Sequence, residues 1–151
     1  MKKNNPSNYQ DPNGPGGNNP SPVNPSPTEL LVLRPLWRDG QLSAREVHEA
    51  TARQTGWAYS TTRKTLDRMV AKDLLRVESV HGMKTFIPTR KKVVTLAGLI
   101  RSFSRTVLGT DTPLPVATFV NSPLINDSDL AELERLLETL SDEDSGHDPA
   151  E

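Results

Sequence analysis

Two glycines, Gly40 and Gly56, divide the stretch from Thr28 to Ala71 into three short segments. A helical apolar pattern restarts within a few residues of each stop. Connections this short leave the helices no room to separate, so they must pack on one another. In the first segment Leu30, Leu33, Leu36 and Trp37 fall at helical spacing, which predicts a helix from Thr28 to about Arg38 with Thr28 as its cap. Pro35 lies inside it, removes one backbone hydrogen bond and predicts a bend. The second segment opens on Ser43 and Glu46 at capping-box spacing and continues through Val47, Ala50 and Gln54 to the Gly56 stop. The third is "GWAYSTTRKTLDRMVAKDLL", with Tyr59 or Ser60 available as a cap.

In that third helix Thr62, Leu66, Met69 and Val70 line one face. At about 100° per residue the opposite face carries Ser60, Lys64, Asp67, Arg68 and Ala71, with Thr61 and Arg63 on its flanks. Hydroxyl residues are only middling helix formers, so a helix that opens on three of them and projects several cations offers hydrogen-bond donors to something outside itself. After Asp73 the apolar period drops to two. "LLRVES" and "KTFIPT" read as short strands around "VHGM", where Gly82 can take the positive φ of a hairpin turn. Three helices and a hairpin make a mainly α chain with a winged helix-turn-helix, spanning residues 28–92.

Beyond the wing, Val93, Leu96, Ala97, Ile100, Phe103 and Val107 predict a long amphipathic helix closed by Gly109, and "TPLPVATFVNSP" a short helical turn. Leu130, Leu133, Leu137 and Leu140 form a narrow seam on a last helix capped by Asp127 or Ser128. A small winged domain rarely needs two further apolar helices, whereas two copies packed together would bury them. Residues 93–140 are therefore expected to dimerise the chain, with Leu96, Ile100, Phe103 and the four seam leucines as the contacts.

Charge separates along the same boundaries. Residues 28–92 carry a net +6 and residues 93–151 a net −8, a basic working surface followed by an acidic segment. Residues 1–27 hold 7 Pro and 7 Asn and too few apolar groups to offset the entropy of ordering, so they are expected to be a disordered tail, as is the acidic end at 141–151. "MKKNN" is followed by "PSNYQDPNGP" where an export signal needs an apolar run, no stretch approaches the roughly 18 apolar residues of a membrane span, and Cys is absent. A cytoplasmic location without membrane contact is expected. His48, His81 and His147 are too scattered for a metal site and no catalytic set is visible, so no cofactor and no enzymatic activity are expected. Trp37 and Trp57, near helix ends in apolar company, read as core anchors rather than stacking platforms.

"ELLVLRPLW", "SAREVHEA", "GWAYSTTRKTLDRMVAKDLLRVE" and a hairpin ending "TFIP" together resemble the penicillinase repressor family of transcriptional regulators. The resemblance covers about Thr28 to Leu140. It implies a homodimer whose winged helix binds a palindromic operator in double-stranded DNA and whose C-terminal helices dimerise. On the third helix Ser60, Thr61, Arg63, Lys64 and Arg68 are the expected DNA contacts; on the wing and its exit they are His81, Lys84, Arg90, Lys91 and Lys92, with Arg76 a further candidate. Two family features are missing. β-lactam-responsive members are cut by a partner membrane metalloprotease at an Asn-Phe bond, and this chain has no Asn-Phe dipeptide; copper-responsive members carry paired cysteines, and it has none. A winged module that engages a protein is the alternative reading. It is disfavoured by the outward cations, since a protein-binding face tends to present aromatics.

Overall fold

The computed structural model describes residues 23–145. In chain order it contains α1 (Pro27–Asp39), β1 (Leu42–Ser43), α2 (Ala44–Thr55), α3 (Tyr59–Ala71), β2 (Leu75–Val80), β3 (Met83–Pro88), α4 (Lys92–Thr106), a 3₁₀ turn (Val116–Phe119) and α5 (Asp127–Ser145). The mainly helical winged helix-turn-helix is present as expected.

The cap of α1 is Ser26, not Thr28. The Ser26 hydroxyl accepts from the Glu29 backbone N–H while the Glu29 carboxylate accepts from the Ser26 N–H, a reciprocal box set two residues earlier in the chain. Pro27 occupies the first turn, where a missing N–H costs nothing. Ser26 and Pro27 therefore belong to the helix start rather than to the expected N-terminal tail, and Pro25 is buried; the rest of that tail, residues 1–22, lies outside the described residues. Gly40 and Gly56 end α1 and α2 at positive φ, and the Ser43–Glu46 box starts α2 as its spacing requires. The buried face of α2 is Val47 and Thr51, whereas Ala50 and Gln54 point outward. α3 is capped by the backbone of Ala58 with no side-chain bond, so neither Tyr59 nor Ser60 serves as the cap.

One strand was not anticipated. Leu42 and Ser43 pair with Phe86 and Thr85, which turns the hairpin into a three-stranded antiparallel sheet in the order β1-β3-β2. Its tip is a two-residue turn in which His81 (φ 50°) and Gly82 (φ 78°) are both left-handed, the geometry that matches strand twist in a tight hairpin. Ten apolar side chains, nine from the six elements α1 to β3 and Leu74 from the connection between α3 and β2, form one core, among them Val32, Leu36, Val47, Leu66, Met69, Leu75 and Phe86. Each buried Leu or Met contributes about 1.5–3 kcal/mol by leaving water. Trp37 and Trp57 pack on this core as anchors.

The last two helices build a second, smaller core. Val93 and Ala97 of α4 meet Leu133 and Leu137 of α5, flanked by Ile100, Val116 and Phe119. Leu133 and Leu137, expected on an intersubunit seam, are only 1% and 4% exposed within one chain. The chain's own α4 and 3₁₀ turn cover them, so this part of the seam is internal packing. Leu130 is half-buried, and the side chain of Leu140 lies outside the described residues. α5 is capped by Asn126, not Asp127 or Ser128: Asn126 and Asp129 exchange backbone-to-side-chain bonds of 3.1 and 2.8 Å. It runs on through Ser145, so residues 141–145 extend the helix instead of opening the acidic tail.

Candidate nucleic-acid interface

α3 is held rigidly from its inner side. Thr62 is fully buried and shares a 2.8 Å hydrogen bond with His48 Nδ1 of α2, while Thr65, Leu66 and Met69 enter the core. At its far end Lys72 Nζ donates to both oxygens of Glu29, at 3.0 and 3.2 Å. The Glu29 carboxylate is almost fully buried at the start of α1. Burial pushes its pKa up, but the Ser26 N–H, the Lys72 ammonium and the Ser26 hydroxyl outweigh that and leave it below the ordinary carboxylate range. Both ends of α3 are thus tied to the other helices of the winged unit.

The outward side is correspondingly unencumbered. Ser60, Thr61, Arg63, Lys64 and Arg68 are all exposed. Because Ala58 provides the cap, the Ser60 and Thr61 hydroxyls are not spent on the helix start. The structure brings these five residues onto one helix, beside the sheet.

The wing residues separate into two groups. His81 is exposed at the hairpin tip and Lys84 projects from β3, where its ammonium sits 3.6 Å from Asp67 of α3 and 5.4 Å from the centre of the Phe86 ring. Arg76 is exposed on β2, and Arg90 and Lys91 are exposed at the wing exit. Lys92 differs. It begins α4 and donates to Asp129 at 2.7 Å, half-buried, and this pair binds α4 to the first turn of α5. Burial raises the Asp129 pKa, but the Lys92 hydrogen bond, the Asn126 N–H and the Lys92 charge prevail and hold it down. Lys92, expected at DNA, is used here as an internal strut.

Two residues at this surface escaped the sequence reading. A cleft of about 530 Å³ opens between the start of α2, α3 and β3, and Arg45 and Tyr59 stand in it beside Arg63, Asp67 and Lys84. The Arg45 guanidinium lies 5.0 Å over the Tyr59 ring, and His48 meets that ring edge-on at 5.6 Å. The available signal was only positional: Arg45 follows the Ser43 cap by two residues, in the first turn of α2.

The small sheet, the three packed helices and the uncovered outer face of α3 define a winged helix-turn-helix protein. The family described as Penicillinase repressor matches residues 25–139, and the chain belongs to that family. It is similar to a Latilactobacillus sakei protein described as "Uncharacterized 16.5 kDa protein in ptsI 3'region", with 21% identity over 110 residues that cover 73% of this chain and 75% of that protein. The family is one of transcriptional regulators, not enzymes. No helix of the described residues is long and apolar enough to cross a membrane.

Proposed function

We propose that the protein is a sequence-specific DNA-binding repressor that works in the cytoplasm as a homodimer on a palindromic operator. The observation that carries this reading is the outer face of α3, where Ser60, Thr61, Arg63, Lys64 and Arg68 are exposed on a helix fixed at both ends. A rigid helix with hydroxyl and guanidinium donors suits the major groove, where Arg pairs with guanine in two bonds and hydroxyls serve either bases or phosphates. Arg45, Lys84, Arg90 and Lys91 then contact phosphates and set the register without reading sequence. His81 enters the neighbouring groove from the hairpin tip.

Dimerisation is assigned to the apolar side chains that the chain leaves uncovered in its C-terminal part. Phe103, Val107 and Leu108 are about half exposed or more, and Leu96 is half-buried nearby on α4. Ile100 contributes from the edge of the internal core. Two winged units held at fixed spacing raise each other's effective concentration on a palindrome. No sensor protease is assigned, since the Asn-Phe bond it needs is absent.

The test is selection of duplexes from a random pool, followed by gel shifts on the enriched and on scrambled sequences. Arg63→Ala and Lys64→Ala are expected to weaken the enriched site by about 1–3 kcal/mol more than the scrambled one. Arg90→Ala and Lys91→Ala are expected to weaken both alike and flatten the salt dependence. A pool that never enriches, with α3 variants indistinguishable from the parent, would instead support the protein-binding module.

A further inference from the structure

A cavity of about 420 Å³, lined by no residue of α3, lies where α1 and α2 meet the connection from α4 to α5. That volume is in the range occupied by small organic ligands. Its apolar surface comes from Leu31, Pro35 and Trp37 of α1 and Leu124 of the connection. Arg34, Arg38 and Lys92 stand around this surface, and no carboxylate is among the described residues that line it. Arg38 is neutralised by Asp39 at 2.9 Å and Lys92 by Asp129 at 2.7 Å. Arg34 is exposed and has no counter-ion among the described residues. The cleft beside α3 has a different lining, with Glu46, Glu49 and Asp67 standing among Arg45, Arg63 and Lys84.

We propose that this junction cavity binds a small aromatic carboxylate, with the carboxylate on Arg34 and the ring between Pro35, Trp37 and Leu124. The charge complement calls for an anion, and the apolar lining calls for a flat hydrocarbon body that a bare phosphate or chloride lacks. The position also matters. The Trp37 indole N–H donates to the Arg90 carbonyl at 3.1 Å, and Arg90 lies in the two-residue link between β3 and the N-cap of α4. A ligand seated against Trp37 and beside Lys92 therefore touches the joint between the winged unit and the C-terminal helices. Any effect on DNA affinity rests on the DNA-binding reading above; the site itself does not.

The test uses no DNA. In a Trp57→Phe protein Trp37 is the sole indole, and its fluorescence is titrated with 1-naphthoate, benzoate and inorganic phosphate. Saturable quenching is expected with naphthoate, weaker with benzoate, and none with phosphate. Arg34→Ala, a change at an exposed position, is expected to weaken naphthoate about tenfold by removing a charge-assisted bond. Ala50→Trp, built from the exposed side of α2 into the same space, is expected to abolish binding. Calorimetric titration of the unsubstituted chain with naphthoate gives the same answer should Trp57→Phe fail to fold. Absence of saturable binding, equal affinity in the parent and both variants, or phosphate matching naphthoate would overturn the proposal.

Discussion

The winged unit and the C-terminal helices solve burial differently. Ten apolar side chains from six elements and one connection close the first core, and the polar groups beside it are bonded: Glu29 to Lys72, Thr62 to His48, Thr85 to Gln41 and the Glu78 carbonyl. The second core has four fully buried apolar residues from two helices, and it leaves Phe103 47% exposed and Val107 63% exposed. The hydroxyl of Ser104, also buried there, has no hydrogen-bond partner among the described residues. A unit that covers its own apolar surface can present a polar working face, whereas one that cannot is suited to meet a second copy.

The largest expected effect tests whether the two cores fold separately. Leu133→Glu with Leu137→Glu puts two charges into the smaller core at a cost of several kcal/mol. The C-terminal helices are expected to lose structure and the proposed dimer to dissociate, while the fluorescence of Trp37 and Trp57 still reports a folded winged unit. Loss of that fluorescence in the same transition would make the molecule a single cooperative unit. The reciprocal change, Leu66→Ala, is expected to destabilise the winged unit by about 2–5 kcal/mol. Calorimetry should place its melting below that of the parent, with the proposed DNA binding lost at temperatures where the parent is still folded.

A smaller effect separates internal packing from the dimer contact. Phe103→Glu acts on a half-exposed side chain, so helical content is expected to stay near that of the parent while the dimer dissociation constant rises at least about tenfold, near 1.4 kcal/mol. Sedimentation across a dilution series measures it, and an unchanged constant would move the dimer surface to another face. The smallest effect is at the α1–α3 tie. Glu29→Gln removes the charge that Lys72 meets and is expected to cost about 1–2 kcal/mol at neutral pH, the Lys72 end being partly in solvent. The Glu29 pKa is lowered on folding, so its contribution is complete above the ordinary carboxylate range and is lost as pH falls through the depressed folded value. The difference in stability between parent and Glu29→Gln should therefore shrink on acidification, and chemical denaturation at neutral and acidic pH checks that sign.

The outward face of α3 was legible in the sequence because helical periodicity sorts Leu66 and Met69 from Arg63 and Lys64 with no knowledge of the partner elements. The wing was legible for a similar reason: a period of two on either side of Gly82. Arg45 and Tyr59 were not, because their meeting depends on the angle between α2 and α3. The Lys92–Asp129 pair was not legible either, because "TRKK" looks uniform as a string, and nothing in it says that the fourth residue starts a helix packed beside Asp129.

Signals confined to a few neighbouring residues were enough for the helix stops at Gly40 and Gly56, the Ser43 box, the hairpin turn and the outward face of α3. They depend on local dihedral preference and on capping bonds spanning three or four positions. Tertiary structure alone decided which apolar residues the chain covers for itself and which it leaves exposed. Leu133 and Phe103 are both large apolar groups at helical spacing, yet one is buried and the other half exposed. The Glu29–Lys72 pair, 43 residues apart, the Trp37–Arg90 bond, 53 apart, and the β1–β3 pairing are likewise long-range. Such contacts form only when the cores assemble, because their energy comes from groups that no local pattern brings together.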